Sequence, residues 1–209
     1  MYKKIVILGY SGHSYSIIDA LSSVGDKVEF YCEKKESKKN PFQLQFIGDE
    51  TELNLNKYKD YYFFPAIGDN KIRKELTKFI EENGLHKIKI IHSSAKISNY
   101  SSIDDLSFVG NGAIINAMCS IGKGVIINSG SIIEHECKIH DFAHIAPGAV
   151  LLGNVEVGYC SLVGANCTVK AGVKIGKSCI IGAGSVILKD VPDNTTMVGN
   201  PSRILKKNE

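Results

Sequence analysis

The chain has 209 residues, 44% of them hydrophobic and 22% charged, with a net charge of +3 at pH 7. That length fits one or two domains, and a charge this small and evenly spread leaves no electrostatic footprint for nucleic acid. No apolar run reaches membrane-spanning length, and the N-terminus lacks the apolar core and cleavage site of a signal peptide, so a cytoplasmic protein with no membrane insertion is expected.

Residues 3–8, Lys-Lys-Ile-Val-Ile-Leu, read as a buried parallel strand. Gly9-Tyr10-Ser11-Gly12-His13 follows, then a helical pattern from Ser14 to about Ser23. A strand, a glycine turn and a helix N-terminus can bind an anion through backbone N–H groups and the helix dipole. The full dinucleotide fingerprint is absent because only two glycines are present, so a plain tight turn remains the alternative. Val28 to Cys32 reads as a second strand ending at Glu33, whose carboxylate is placed either for a ribose hydroxyl or as an exposed acid. Lys34, Lys35, Lys38 and Lys39, interleaved with Glu36, mark a solvated loop.

Residues 47–53 suggest a short strand and turn, Tyr61 to Ile67 a third buried strand, and Gly68-Asp69-Asn70 another glycine turn. A helix over 71–83 stops at Gly84, and Ile88 to Ile91 reads as a further strand of the same sheet. This pattern predicts a small Rossmann-like α/β domain over 1–92, with ligands at the carboxyl edge of its strands.

From Ile97 to Ile187 every sixth residue is aliphatic, and four residues after each comes a small one, such as Ser107, Ala113 or Cys119. The period is neither that of a helix nor that of a strand. It is a hexapeptide repeat, which predicts a parallel β-helix over 93–209 with about five triangular coils and residues eighteen apart stacked. The glycine or asparagine that often follows the aliphatic, as at Gly110, Asn116 and Gly122, is expected to make the left-handed corners. Of the six cysteines, Cys119, Cys137, Cys167 and Cys179 fall on the small inward position, and Cys32 and Cys160 lie outside it. None forms a C-x-x-C pair, which argues against zinc. After Ile187 come two turns and a tail carrying Arg203, Lys206 and Lys207, either a phosphate contact or a solvated cover for the last coil.

Large polar residues cluster once within the repeat: Glu134, His135 and Glu136, then His140, Asp141 and His144. His135 is expected to point outward from a flat face into a groove. One coil later its counterpart is Gly153, which leaves room beside the imidazole and a bare backbone N–H able to polarise a carbonyl oxygen.

The repeat, the segment Ile133-Glu134-His135-Glu136-Cys137 and the closing Val198-Gly199-Asn200-Pro201-Ser202-Arg203 resemble the left-handed β-helix acyltransferases. Gly9–His13 and Ala66-Ile67-Gly68-Asp69-Asn70-Lys71-Ile72-Arg73 narrow the likeness to the bacterial enzymes that N-acetylate nucleotide-linked 4-amino sugars of the bacillosamine, viosamine and perosamine type, with the sialic-acid O-acetyltransferases as relatives. The resemblance spans nearly the whole chain. It implies left-handed coils, acetyl-CoA as donor without a metal, a UDP- or dTDP-linked 4-amino-4,6-dideoxy sugar as acceptor in surface-glycan synthesis, and a homotrimer with sites between subunits. It further implies that His135 is the general base and Glu136 its orienting partner. His144 and Gly153 would meet acetyl-CoA. Asn128 would lie near the acceptor, Gly9, Ser11, Gly12 and His13 would cradle the phosphates, and Glu33, Gly68, Asp69 and Asn70 would line the same cleft. Two departures stand out: the family's tandem acids after the second strand are Glu33-Lys34 here, and Tyr10 replaces a small residue.

The chemistry suits these residue types. An amine attacking a thioester must lose a proton, and an imidazole, with an ordinary pKa of about 6.5, can take it at neutral pH. Three other readings compete: O-acetylation of a sialic acid hydroxyl, a zinc hydratase using His135 and His140 on the same scaffold, and a non-catalytic nucleotide-sugar sensor. The zinc reading lacks a third ligand, since Asn99 stands where a histidine would be needed.

Overall fold

The computed structural model describes residues 3–207. The amino-terminal part is a parallel sheet of five strands, β1 (Lys4–Leu8), β2 (Lys27–Cys32), β3 (Gln45–Phe46), β4 (Tyr62–Pro65) and β5 (His86–Lys87), in the order β3-β2-β1-β4-β5. Two helices, α1 (Gly12–Ser23) and α2 (Asn70–Glu82), follow β1 and β4. The β1 run is buried from Ile5 to Leu8, as a central parallel strand covered on both faces requires. Ser11 caps α1 and Asp69 caps α2, so both helices begin at the carboxyl edge of the sheet.

The sheet ends one step earlier than the apolar run 88–91 suggests. β5 stops at Lys87, and Ile90–Ile91 pairs instead with Phe108–Val109 as the first rung of the β-helix. The hexad series therefore starts at Ile91, one repeat before Ile97.

Three parallel ladders form the prism. The first face stacks Ile90–Ile91, Phe108–Val109, Ile126–Ile127, His144–Ile145, Leu162–Val163 and Ile180–Ile181, and is extended by Thr195–Val198 and an antiparallel last strand, Arg203–Lys207. The second face runs from Lys96–Ile97 to Val186–Ile187, and the third from Ser102–Ile103 to Lys174–Ile175. The aliphatic of every hexad from Val109 to Ile187 is buried, and so is the small residue four places on. Each such aliphatic contributes about 1.5–3 kcal/mol of burial, and the small position keeps its polar atoms paired. Ser107 and Ser161 donate their hydroxyls to the carbonyls of Gly122 and Gly176 in the next coil, both at 2.7 Å.

The left-handed corners lie elsewhere than the sequence pattern suggests. Every sixth residue from Leu106 to Gly184 has a positive φ, between +52° and +74°, and this residue stands three places after the aliphatic. Leu, Met, Glu and Phe occupy some of these positions, which is why they escape notice. The glycines directly after the aliphatic have ordinary φ and serve close approach between coils: a Cβ on Gly110 would stand 2.9 Å from Ser129 N, and one on Gly122 2.8 Å from Asp141 N.

The α/β part sits on the lower first face. Phe108 and Ile126 point outward from the prism into its core, alongside Leu76 and Ile80 of α2.

Candidate active site

His135 and Glu136 form the two-residue turn at the corner between the second and third faces, not a flat strand surface. His135 Nδ1 lies 3.0 Å from Glu136 Oε2, and both side chains are more than 60% exposed, at 61% and 63%. A carboxylate accepts only, so Nδ1 carries the proton and the Nε2 lone pair stays free. Glu136 occupies the left-handed corner position, with φ +61°. The ring lies over Gly153 of the next coil, where a Cβ would come within 2.6 Å of Nε2. The room that glycine was expected to leave for a ligand is thus filled by the imidazole.

His144 lies on another face. It points outward from the first face, where the α/β part overhangs the prism. Asn128 Nδ2 lies 3.2 Å from His144 Nε2, and Asn128 Oδ1 accepts from Ser129 N. The His13 ring stands 6.2 Å from that of His144 and edge-on to Phe108. Burial, helped by the Arg73 charge, pushes His144 down to about 3 and His13 to about 4. Both rings are therefore neutral at physiological pH, and His13 Nε2 is buried without a hydrogen-bond partner. A neutral ring brings no positive charge to a phosphate, so any contact His13 makes there is a hydrogen bond rather than an ion pair.

A cavity of about 400 Å³ opens beside His144, lined by Gly68, Asp69, Asn70 and Lys71 on one side and by Leu162 and Ile180 on the other. Asp69 and Asn70 also hold the fold. Asp69 Oδ1 accepts from Lys71 N and Ile72 N as the cap of α2. Asn70 Nδ2 donates to Cys160 O at 2.9 Å, across to the β-helix.

At the glycine turn, Gly9 has φ +99°, and a Cβ there would strike Ile67. Gly12 opens α1 with ordinary φ and nothing within 4 Å of a Cβ, so neither backbone nor packing demands a glycine there. Glu33 Oε1 accepts the Tyr10 N–H at 2.9 Å, which ties one carboxylate oxygen into the turn. Tyr10 is buried, stacks on Tyr31 at 4.3 Å and bonds Asn40 Oδ1 through its hydroxyl, so this large residue is absorbed by an aromatic pocket of its own.

Arg73 escaped the sequence reading as a functional residue. It is 1% exposed, and its guanidinium reaches Gly124 O (2.7 Å), Gly68 O (3.0 Å), Phe142 O (2.8 Å) and Asn70 Oδ1 (2.7 Å). The sequence carried a signal, because Arg73 heads the i, i+3, i+4, i+7 stripe completed by Leu76, Thr77 and Ile80, all buried.

Among the described residues no group of three or more His, Cys, Asp or Glu could hold a metal ion, and His140 bonds Glu156 at 2.8 Å. Among them, too, no helix is long and apolar enough to cross a membrane.

Residues 4–80 match the family described as PglD N-terminal domain, and residues 118–153 match the bacterial transferase hexapeptide family. PerB from Caulobacter crescentus, solved in complex with CoA and GDP-perosamine, is 32% identical with a TM-score of 0.91, over 97% of each chain. The acetyltransferase domain of PglB from Neisseria gonorrhoeae FA1090, in complex with acetyl coenzyme A, is 28% identical with a TM-score of 0.92, over 98% of this chain and 100% of its own. WeeI from Acinetobacter baumannii AYE shares the fold at 23% identity and a TM-score of 0.86.

Proposed function

The chain belongs to the hexapeptide-repeat, left-handed β-helix acetyltransferases, and from that premise we propose that it transfers an acetyl group from acetyl-CoA to the 4-amino group of a UDP- or dTDP-linked 4-amino-4,6-dideoxy sugar. The observation that carries the reading is the His135–Glu136 pair with Nε2 left free. The acceptor amine attacks the thioester carbonyl, Nε2 takes the proton, and the thiolate of CoA leaves. The thioester has a good leaving group, so no covalent enzyme intermediate is required. Glu136 fixes the tautomer and orients the ring. The α/β part, residues 1–92, holds the nucleotide sugar at the Gly9–Gly12 turn, and the cavity beside His144 receives the acetyl end of the donor.

Two groups of residues then stand apart in one chain. His135, Glu136 and Gly153 sit at the corner between the second and third faces, whereas His144 lies on the first face, against Asn128 near the edge shared with the second. The second face carries an outward column of Lys96, Ile114, Ile132, Val150, Thr168 and Val186, its four aliphatics half-buried, whereas the third face carries Lys138, Glu156 and Lys174. A face that apolar is suited to packing against another copy, and a threefold trimer would bring the edge bearing His135 against the His144 edge of a neighbour. The overhang and the uncovered column support a site completed between subunits.

The test is CoA release with UDP- and dTDP-linked 4-amino sugars, with free and CMP-linked sialic acid as alternatives. Turnover on the amino sugar nucleotides, and a His135→Ala variant with kcat lowered about 10²–10⁴-fold at little changed acetyl-CoA affinity, are expected. Turnover on sialic acid alone would overturn the acceptor, and a variant as fast as the wild type would overturn the base.

A further inference from the structure

Arg73 is a cation buried on an interface with no carboxylate among its hydrogen-bond partners. Burial lowers it to about 10, so it stays charged at neutral pH. Burying an ion is unfavourable even when its donors are satisfied, and Asp69 is near enough to offset this only in part, since burial is the larger effect. A leucine or methionine would fill the space but take the donor away from the Gly124 and Phe142 carbonyls, so the residue is there for its hydrogen bonds and not for its volume.

Its partners account for it. Nη1 donates to the Gly68 carbonyl at 3.0 Å, in the loop that lines the cavity beside His144. Nη2 reaches Phe142 O at 2.8 Å and Ala143 O at 3.5 Å, the two carbonyls that precede His144. One guanidinium therefore ties the peptide that precedes His144 to the Gly68 loop beside it. Nε adds Gly124 O on the coil below. Asn128 Nδ2, a donor, faces His144 Nε2 at 3.2 Å, which selects the tautomer protonated on Nδ1.

We propose that Arg73 is a positioning residue of the acetyl-transfer site, fastening the Gly68 loop and the peptide before His144 so that the imidazole meets the cavity in one orientation and one tautomer. The inference rests on the reading of His144 as a contact of the acetyl donor. It also gives the joint between the two parts of the chain a function: the Ile67–Asn70 turn comes from the α/β sheet, His144 from the prism, and Arg73 ties them at the mouth of the same cavity. The nearby charge further disfavours protonation of His144, whose other titratable neighbours are His13 from α1, Asp69 and Lys71 at the head of α2, and Cys160 on the next coil.

Nitrogen-resolved NMR of the His144 ring, read together with steady-state kinetics, tests this on the full chain. The wild-type ring should show the single Nδ1–H tautomer and no titration above about pH 5, given the direction of its shift. In Arg73→Met the ring should sample both tautomers and titrate nearer the ordinary range. Its kcat should fall roughly ten- to hundredfold, with the nucleotide-sugar KM changed less than about threefold. Arg73→Lys keeps the charge and loses the fork, so it should recover only part of the rate. It also carries the test alone if Arg73→Met does not fold. Wild-type ring signals in a folded Arg73→Met or Arg73→Lys protein would overturn the proposal, as would full rescue by lysine. Because the ring signals need no substrate, a wild-type protein inactive on every amino sugar nucleotide would refute the acceptor reading and leave the Arg73–His144 coupling measurable.

Discussion

The imidazole of His135 rests directly on Gly153, so close that a Cβ on the glycine would stand 2.6 Å from Nε2 and 3.1 Å from Nδ1. Gly153 has an ordinary φ, and its Cβ would meet nothing nearer than this ring. Gly153→Ala should therefore fold normally and displace the imidazole. The expected result is an unchanged melting temperature with kcat lowered on the order of 10²-fold. If the variant keeps its full rate, the ring does not need this seat for catalysis.

Gly12 gives the converse case, a glycine that the fold does not require. Nothing lies within 4 Å of its Cβ position and its φ is ordinary, so Gly12→Val should leave stability unchanged or raise it by a few tenths of a kcal/mol, about the helix-propensity difference. Close approach of a diphosphate to the backbone at the start of α1 would be blocked. The nucleotide-sugar KM should rise at least about tenfold while the acetyl-CoA KM stays near wild type. Equal changes in both would mean that the turn is structural only.

The two buried imidazoles make stability depend on pH. His13 and His144 titrate at about 4 and about 3 in the folded chain, against 6.5 ordinarily. Their folded values are depressed, so between those values and 6.5 the unfolded chain binds more protons. Stability is then fully present above about pH 6.5 and is lost as pH falls toward the folded values. Between pH 6.5 and 5 the loss should be on the order of 2–4 kcal/mol for the pair. Urea unfolding at fixed protein concentration, at pH 7.5 and pH 5, measures it. A His13→Gln, His144→Gln double variant should flatten the dependence; an unchanged slope would assign it to other groups.

The prism was legible because each coil imposes the same demand on the same position: an inward aliphatic every sixth residue has no other explanation. The corners were not, since the left-handed position tolerates Leu106, Met118 and Phe142 when its neighbours hold it, whereas the visible glycines mark contact between coils. The run 88–91 looked like one strand because a pattern of apolar residues does not say which sheet they join, and here the chain changes sheets between Lys87 and Ile90. The same ambiguity affected the site. Spacing along the repeat finds His135 and its seat Gly153 eighteen residues on, because stacking is periodic. It does not find Arg73, whose partners lie on another element and are backbone carbonyls that any sequence supplies.

His135 and His144 are nine residues apart in sequence, half a coil, and that distance puts His135 at the corner between the second and third faces and His144 on the first face opposite. A site using both must then take one from each of two copies, and subunit mixing tests this directly. His135→Ala and His144→Ala chains, each nearly inactive alone, are co-expressed with different tags and the mixed oligomers isolated. In a cyclic trimer every mixed assembly, of either composition, contains one junction with an intact His135 facing an intact His144. Mixed trimers should therefore regain about one-third of wild-type activity, and Ile132→Glu on the apolar face should abolish assembly and this recovery together. Mixed trimers no more active than their parents would place both histidines in the service of one chain and remove the shared site. A fully active monomer in sedimentation would do the same.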